Sequence, residues 1–229
     1  DDPVRALRAI RMATVLHAEL TQDTQAAVAS AQLINERLSI ERLRDELMKI
    51  LALPDALAAV RKLLDFGLLQ QLLPHLAWQD AHPLNRVLQP IGPFLHFFDL
   101  SDTALQLLSA QLQQVTANER TRLSIIRLAV ILRHVDAPSH GLKMAQSLRL
   151  SNDELQQIRH VLVVFPEIDL ILQNTGATQN RLFYRFVQKT GENTPELLWL
   201  AQIQQPHLAK PIAAFVGHYF AHYAANVAP

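Results

Sequence analysis

Asp1-Asp2-Pro3-Val4-Arg5-Ala6-Leu7-Arg8-Ala9-Ile10-Arg11 opens the chain, and its reading decides the fold. Two carboxylates followed by proline give the order of a helix N-cap and first turn. Val4, Leu7 and Ile10 then recur on one face, while Arg5, Arg8 and Arg11 recur every three residues on another. That is helical periodicity. The spacing predicts a helix running to about Leu20, broken at Thr21–Asp23.

The same pattern continues outward. Gln25–Glu36 reads as a second helix. Ser39 opens a third, to about Leu53, without a capping box, because Arg42 stands where Glu or Gln would be needed. Pro54-Asp55 opens a fourth that Gly67 ends, followed by Leu68–Leu73 and Pro74. Residues 77–93 hold Pro83, Pro90, Gly92 and Pro93 and read as a loop or broken helix, placing a boundary there. Beyond it, helical patterns cover roughly 94–115, 118–134, 140–149, 151–164, 178–190, 194–204 and 208–225. Ser151 with Glu154 makes a capping box. Nothing alternates with period two for long enough to make a sheet, so the chain is all-α.

Composition agrees. Of the 229 residues 49% are apolar and 18% charged, which suits a packed globule. Lys plus Arg equals Asp plus Glu at 21 each, so net charge gives no support for a polyanion partner. There is no cysteine, hence no thiolate nucleophile and no cysteine zinc site, in keeping with a cytoplasmic location. No apolar run reaches the roughly 18 residues of a membrane span. The chain opens on Asp1 without an initiator Met, which reads as the edge of a cut or processed product.

Four stretches in order resemble the neck of class II tRNA nucleotidyltransferases, the family of CCA-adding enzymes and bacterial poly(A) polymerases. Asp1–Arg11 is similar to that family's acidic-Asp-x-x-Arg motif and the arginine-rich helix after it. Thr24 stands where the family has a threonine before its second neck helix. Ser39–Leu47, with Glu41, Arg42 and Glu46, is similar to its Glu-Arg-x-x-x-Glu motif. Leu63-Leu64-Asp65-Phe66-Gly67-Leu68-Leu69 through Leu73-Pro74-His75-Leu76 is similar to its closing segment.

The resemblance implies a neck over residues 1–76 and a helical body over 77–229. It implies that Asp2 and Arg5 read the base edge of an incoming CTP or ATP, with Arg8 and Arg11 serving phosphates or the joint to a catalytic head. Carboxylate and guanidinium together can address one base edge, and i, i+3 spacing puts both on one helix face. The plainer alternative is that Asp1 and Asp2 cap the helix and the arginines form a solvated face. Glu41, Arg42 and Glu46 are expected to brace the neck, Arg42 and Glu46 being i, i+4 neighbours. The partner implied is tRNA or another RNA 3′ end. The family's head supplies a glycine turn and an Asp-x-Asp pair holding Mg²⁺. Neither occurs here, so the resemblance implies no catalysis by this stretch alone.

Residues 82–165 resemble an HD phosphohydrolase-like domain, and Arg181–Gly191 the family's later body. In Ile126–Pro138, Arg133 takes the motif's His position and His134 its Asp position, while an earlier metal histidine falls near Gln89. Arginine has no lone pair for a metal, so the metal set looks abolished. The same stretch also offers His134 with Asp136, or with His140, for recruitment into another site. His218 and His222 are spaced i, i+4, without an evident third ligand. Three roles stay open: an accessory region of an RNA 3′-end nucleotidyltransferase, an HD-type metal-dependent phosphohydrolase, and a non-enzymatic helical scaffold.

Overall fold

The computed structural model describes residues 2–33, 39–91, 102–116 and 120–223. Thirteen α-helices make up the described fold, with no strand among the described residues beyond an isolated bridge between Val115 and Thr121. In chain order they are α1 Val4–Val15, α2 Gln22–Ala29, α3 Ile40–Leu51, α4 Ala56–Asp65, α5 Leu68–Leu72, α6 Asp102–Gln113, α7 Arg122–Leu132, α8 Pro138–Ser147, α9 Asn152–Arg159, α10 Glu167–Leu172, α11 Gly176–Thr190, α12 Thr194–Gln204 and α13 Ala209–His222. A 3₁₀ segment, Pro83–Leu88, lies between α5 and α6, and a π turn, His160–Val164, continues α9. Asp1, the end of the second expected helix, the start of the stretch expected over 94–115, and residues 224–229 lie outside the described residues.

Several boundaries differ from the sequence reading, each for a local reason. α1 stops at Val15, five residues short of Leu20. His17 takes a left-handed conformation (φ 49°), donating to the Thr14 carbonyl, while the Ala18 amide reaches Ala13 at 2.9 Å. This is a Schellman ending with histidine where glycine is usual, so no glycine signals it. α2 begins earlier than expected because Thr21 caps it, accepting from the Thr24 amide at 3.4 Å. Pro166 opens α10, a helix that periodicity misses because it is under two turns long. The capping box of Ser151 and Glu154 is present, and Gly67 ends α4 with φ 67°.

One hydrophobic cluster runs from Val4 to Tyr219, through both segments of the chain. α1 packs on α3 and α4, α3 on α7, and α7 on α9. α7 is buried at every position, including Arg127, which is 1% exposed. Its guanidinium donates to five main-chain carbonyls: Val87 at 2.8 Å, Leu51 at 2.7 Å, Leu53 at 2.5 Å, Pro54 at 3.1 Å and Gln89 at 3.0 Å. Those carbonyls belong to the end of α3, the α3–α4 turn and the 3₁₀ segment with its flanking residue. Five donors in a fixed fork suit this arrangement. Burial pushes the Arg127 side chain down to about 10, the charge of Asp55 opposing it, so it remains a cation at neutral pH.

Close packing meets α7 on another side. A Cβ on Gly141 of α8 would lie 2.9 Å from Leu162 Cδ1 and 3.1 Å from the Leu132 carbonyl oxygen. Glycine therefore sets how closely α8 approaches α7.

Replacing Arg127 by Met keeps volume but strands up to five carbonyls, those of Leu51 and Val87 on buried residues. We expect a stability loss on the order of 3–5 kcal/mol in denaturant unfolding, with an unchanged slope. A loss below about 1 kcal/mol would show that the carbonyls find other partners.

Candidate nucleic-acid interface

The amino-terminal motif and the Glu-Arg-x-x-x-Glu motif meet where α1 crosses α3. The Asp2 carboxylate accepts the Val4 amide through Oδ1 at 3.2 Å and pairs with Arg42 through Oδ2 at 2.6 Å. Partial burial raises the Asp2 carboxyl, but the hydrogen bonds from Arg42 and the Val4 amide, with the charges of Arg42 and Arg8, outweigh it and hold it below its ordinary value. Glu46 is 3% exposed and accepts from Arg11 Nε at 2.6 Å, with Arg8 Nε at 4.0 Å. Arg42 and Glu46 thus reach across to α1, where the sequence reading expected them to face each other along α3. Their bracing is between helices. Arg5 lies exposed one turn beyond Asp2, whose carbonyl accepts the Arg5 amide at 3.0 Å.

The outer face of α3 is tied to the second segment. Glu41 pairs with Arg149 at 2.5 Å, and Arg44 donates to the Arg149 carbonyl at 2.6 Å. Hydrogen bonds from Ser39, its own backbone and Arg149 bring the Glu41 carboxyl down to about 2. Asp45 links Arg44 at 2.8 Å to Arg120 at 3.2 Å, and Arg120 grips Glu154 with two bonds of 2.6 and 3.1 Å. Deeper in, Arg122 holds Glu196 at 2.5 Å and Glu192 at 2.6 Å. Burial pushes the Glu196 carboxyl up despite Arg122 and Gln157 beside it.

The residues aligned with an HD metal set are committed elsewhere. Arg133 donates to the Val161 carbonyl at 3.0 Å and lies 5.0 Å from the centre of the Phe165 ring. His134 accepts the Gln79 amide on Nδ1 at 3.1 Å, which fixes Nε2 as the protonated nitrogen donating to Asn85 Oδ1 at 3.0 Å. Trp78 stacks on its ring at a centroid distance of 4.4 Å. Neither nitrogen has a lone pair left for a metal. Gln89 contributes its carbonyl to Arg127. His140 pairs with Asp136 at 2.6 Å, so it and His134 go to separate partners. The His218 and His222 rings lie 4.5 Å apart on α13, tilted by 52° to each other. Among the described residues no group of three His, Cys, Asp or Glu side chains is placed to hold a metal ion. None of the described helices is long and apolar enough to cross a membrane.

Residues 19–79 match a family model described as the probable RNA and SrmB-binding site of polymerase A. A solved structure described as a tRNA-processing enzyme in an apo form superposes with a TM-score of 0.61 over 96% of this chain, at 16% sequence identity. At that identity the likeness is one of fold. The chain spans 56% of that structure's length. No curated protein matches the chain by sequence. Residues 19–79 are thus similar to that RNA-binding site, within a fold shared with that structure. The family match begins beyond α1 and takes in Glu41, Arg42 and Glu46, so Asp2, Arg5, Arg8 and Arg11 rest on the α1–α3 geometry.

His134 gives this region a pH signature. Burial, with the charges of His82 and Arg133, lowers its imidazole to about 4. A histidine lowered in the fold stabilises it fully above the unfolded value of about 6.5, and that contribution disappears as pH falls towards 4. Wild type should lose on the order of 3 kcal/mol across that window relative to His134→Gln, read from denaturation at stepped pH. A pH-independent difference would mean that the ring ionises as freely in the fold as in the unfolded chain.

Proposed function

We propose that this chain is an accessory region of an RNA 3′-end nucleotidyltransferase, selecting the nucleobase and positioning tRNA or another RNA end. The observation that carries this reading is the Asp2 carboxylate, fixed at the start of α1 by the Val4 amide and Arg42 with Arg5 one turn on. A carboxylate has about four lone-pair positions. Two are used, so Asp2 can cap the helix and still accept the exocyclic amino group that cytosine and adenine share. Arg5 would donate to the ring nitrogen or carbonyl of the same edge. The cap reading and the base-edge reading are therefore compatible.

Arg42 then acts on position. It holds Asp2 ionised and in one orientation, as preorganised recognition requires. Arg11, bound to the buried Glu46, sets the rotation of α1 on α3, while Arg8 is 56% exposed and free to swing towards a phosphate. The RNA partner is supported by the family match over residues 19–79. Transfer chemistry, with its Mg²⁺ and the ATP or CTP it consumes, would reside in a catalytic head outside these residues.

The experiment is single-turnover incorporation of all four nucleotides by a longer protein that includes such a head. Asp2→Ala should relax discrimination against UTP and GTP by about 1–3 kcal/mol, with Arg5→Ala acting on the same step and not adding fully. Stability should fall by only about 1 kcal/mol, the cost of a lost cap. Intact nucleotide preference with a sharply lowered Tm would make Asp2 structural alone.

A further inference from the structure

At the other end of the chain, α11 and α13 form a cleft of about 440 Å³. Its walls are aromatic: Phe183 and Phe215, with ring centres 4.5 Å apart, then His218 and Tyr223. Two amides, Gln179 and Asn180, also line it, Gln179 Nε2 donating one N–H to the Ile171 carbonyl at 3.1 Å. Burial and the charge of His222 lower the His218 imidazole, favouring the neutral ring. Flat apolar walls with an adjacent donor–acceptor pair suit a planar heterocycle that carries polar groups on one edge.

The charge around the cleft is unlike that of the whole chain. Neither α11 nor α13 contains a single Asp or Glu, yet together they carry Arg181, Arg185, Lys189 and Lys210. Lys189 is paired with Glu167. Arg181, Arg185 and Lys210 are exposed, and Tyr184, 51% exposed, lies between the cleft and the arginines around α11. In a chain of zero net charge this is a local basic surface interleaved with aromatic rings, the chemistry of single-stranded nucleic-acid binding.

We infer that the α11–α13 cleft takes an unpaired nucleobase of an RNA strand, stacked against Phe215 and His218 with its edge on Gln179 and Asn180, while Arg181 and Arg185 hold the adjoining phosphates. This rests on the proposed RNA function but concerns a contact far along the chain from residues 19–79. A free mononucleotide shares the chemistry. The run of charge along α11, with Lys210 on α13, favours a strand, which presents several phosphates, over a mononucleotide.

The test is fluorescence anisotropy of the whole chain with a short oligoadenylate, an abasic oligomer of the same length, and AMP as competitor. Wild type should bind the oligoadenylate about tenfold more tightly than the abasic oligomer. His218→Ala and Asn180→Ala, both at exposed positions, should abolish that difference without altering the thermal melt. Arg181→Gln with Arg185→Gln should weaken both oligomers and reduce the salt slope by roughly one. Equal binding of base-bearing and abasic oligomers by wild type overturns the cleft and leaves the RNA function standing. AMP competing as well as the oligoadenylate overturns the strand assignment. No binding of any RNA by wild type overturns the RNA function and this inference with it.

Discussion

The Arg127 guanidinium is the constraint on which the remaining architecture depends. A buried cation is costly unless its hydrogen-bonding capacity is filled, and five carbonyls fill it. Those carbonyls come from a turn and a 3₁₀ segment whose main chain would otherwise lack partners. The need is mutual: the turn orders the arginine, and the arginine closes the turn. As a result the end of α3, the start of α4 and the segment before α6 are all referred to one point on α7.

That fixed point positions the amino-terminal motif. α3 is anchored below by Arg127 and on its outer face by the Glu41–Arg149 and Asp45–Arg120–Glu154 contacts. Its remaining charged groups, Arg42 and Glu46, are thereby held to receive Asp2 and Arg11 from α1. Each exposed pair contributes little stability by itself. Their value lies in orientation, since they fix one rotation of α1 and one direction for the Asp2 carboxylate. Zero net charge conceals this organisation. Glu154 and Glu196 are spent on the buried Arg120 and Arg122, while α11 and α13 carry no acidic residue at all.

The helices are largely legible from periodicity, because α1, α3 and α11 each alternate an apolar and a polar face. Short or unusually ended elements are not. α10 is too brief to show a period, and His17 closes α1 in a conformation that sequence assigns to glycine. The candidate residues Asp2, Arg42, Arg11 and Glu46 are legible as motifs, but their pairing is not. Sequence spacing offers only partners within one helix, whereas packing chooses partners across α1 and α3. Arg127 gives no signal of its own, being a lone charge in an apolar run whose partners are main-chain oxygens. The α11–α13 cleft escapes the sequence for a related reason: its rings lie far apart along the chain, and the lack of acidic residues in both helices is the signal available.

The two segments on either side of residue 77 share one hydrophobic cluster and are clamped at Arg127, so they should open as one cooperative unit. Native-state hydrogen exchange tests this most directly. The amides of Leu47 and Leu51 in α3 and of Leu128 and Leu132 in α7 should open together, with a single free energy and the same denaturant dependence. Two separate opening energies divided near residue 77, with α3 exchanging while α7 stays protected, would contradict it.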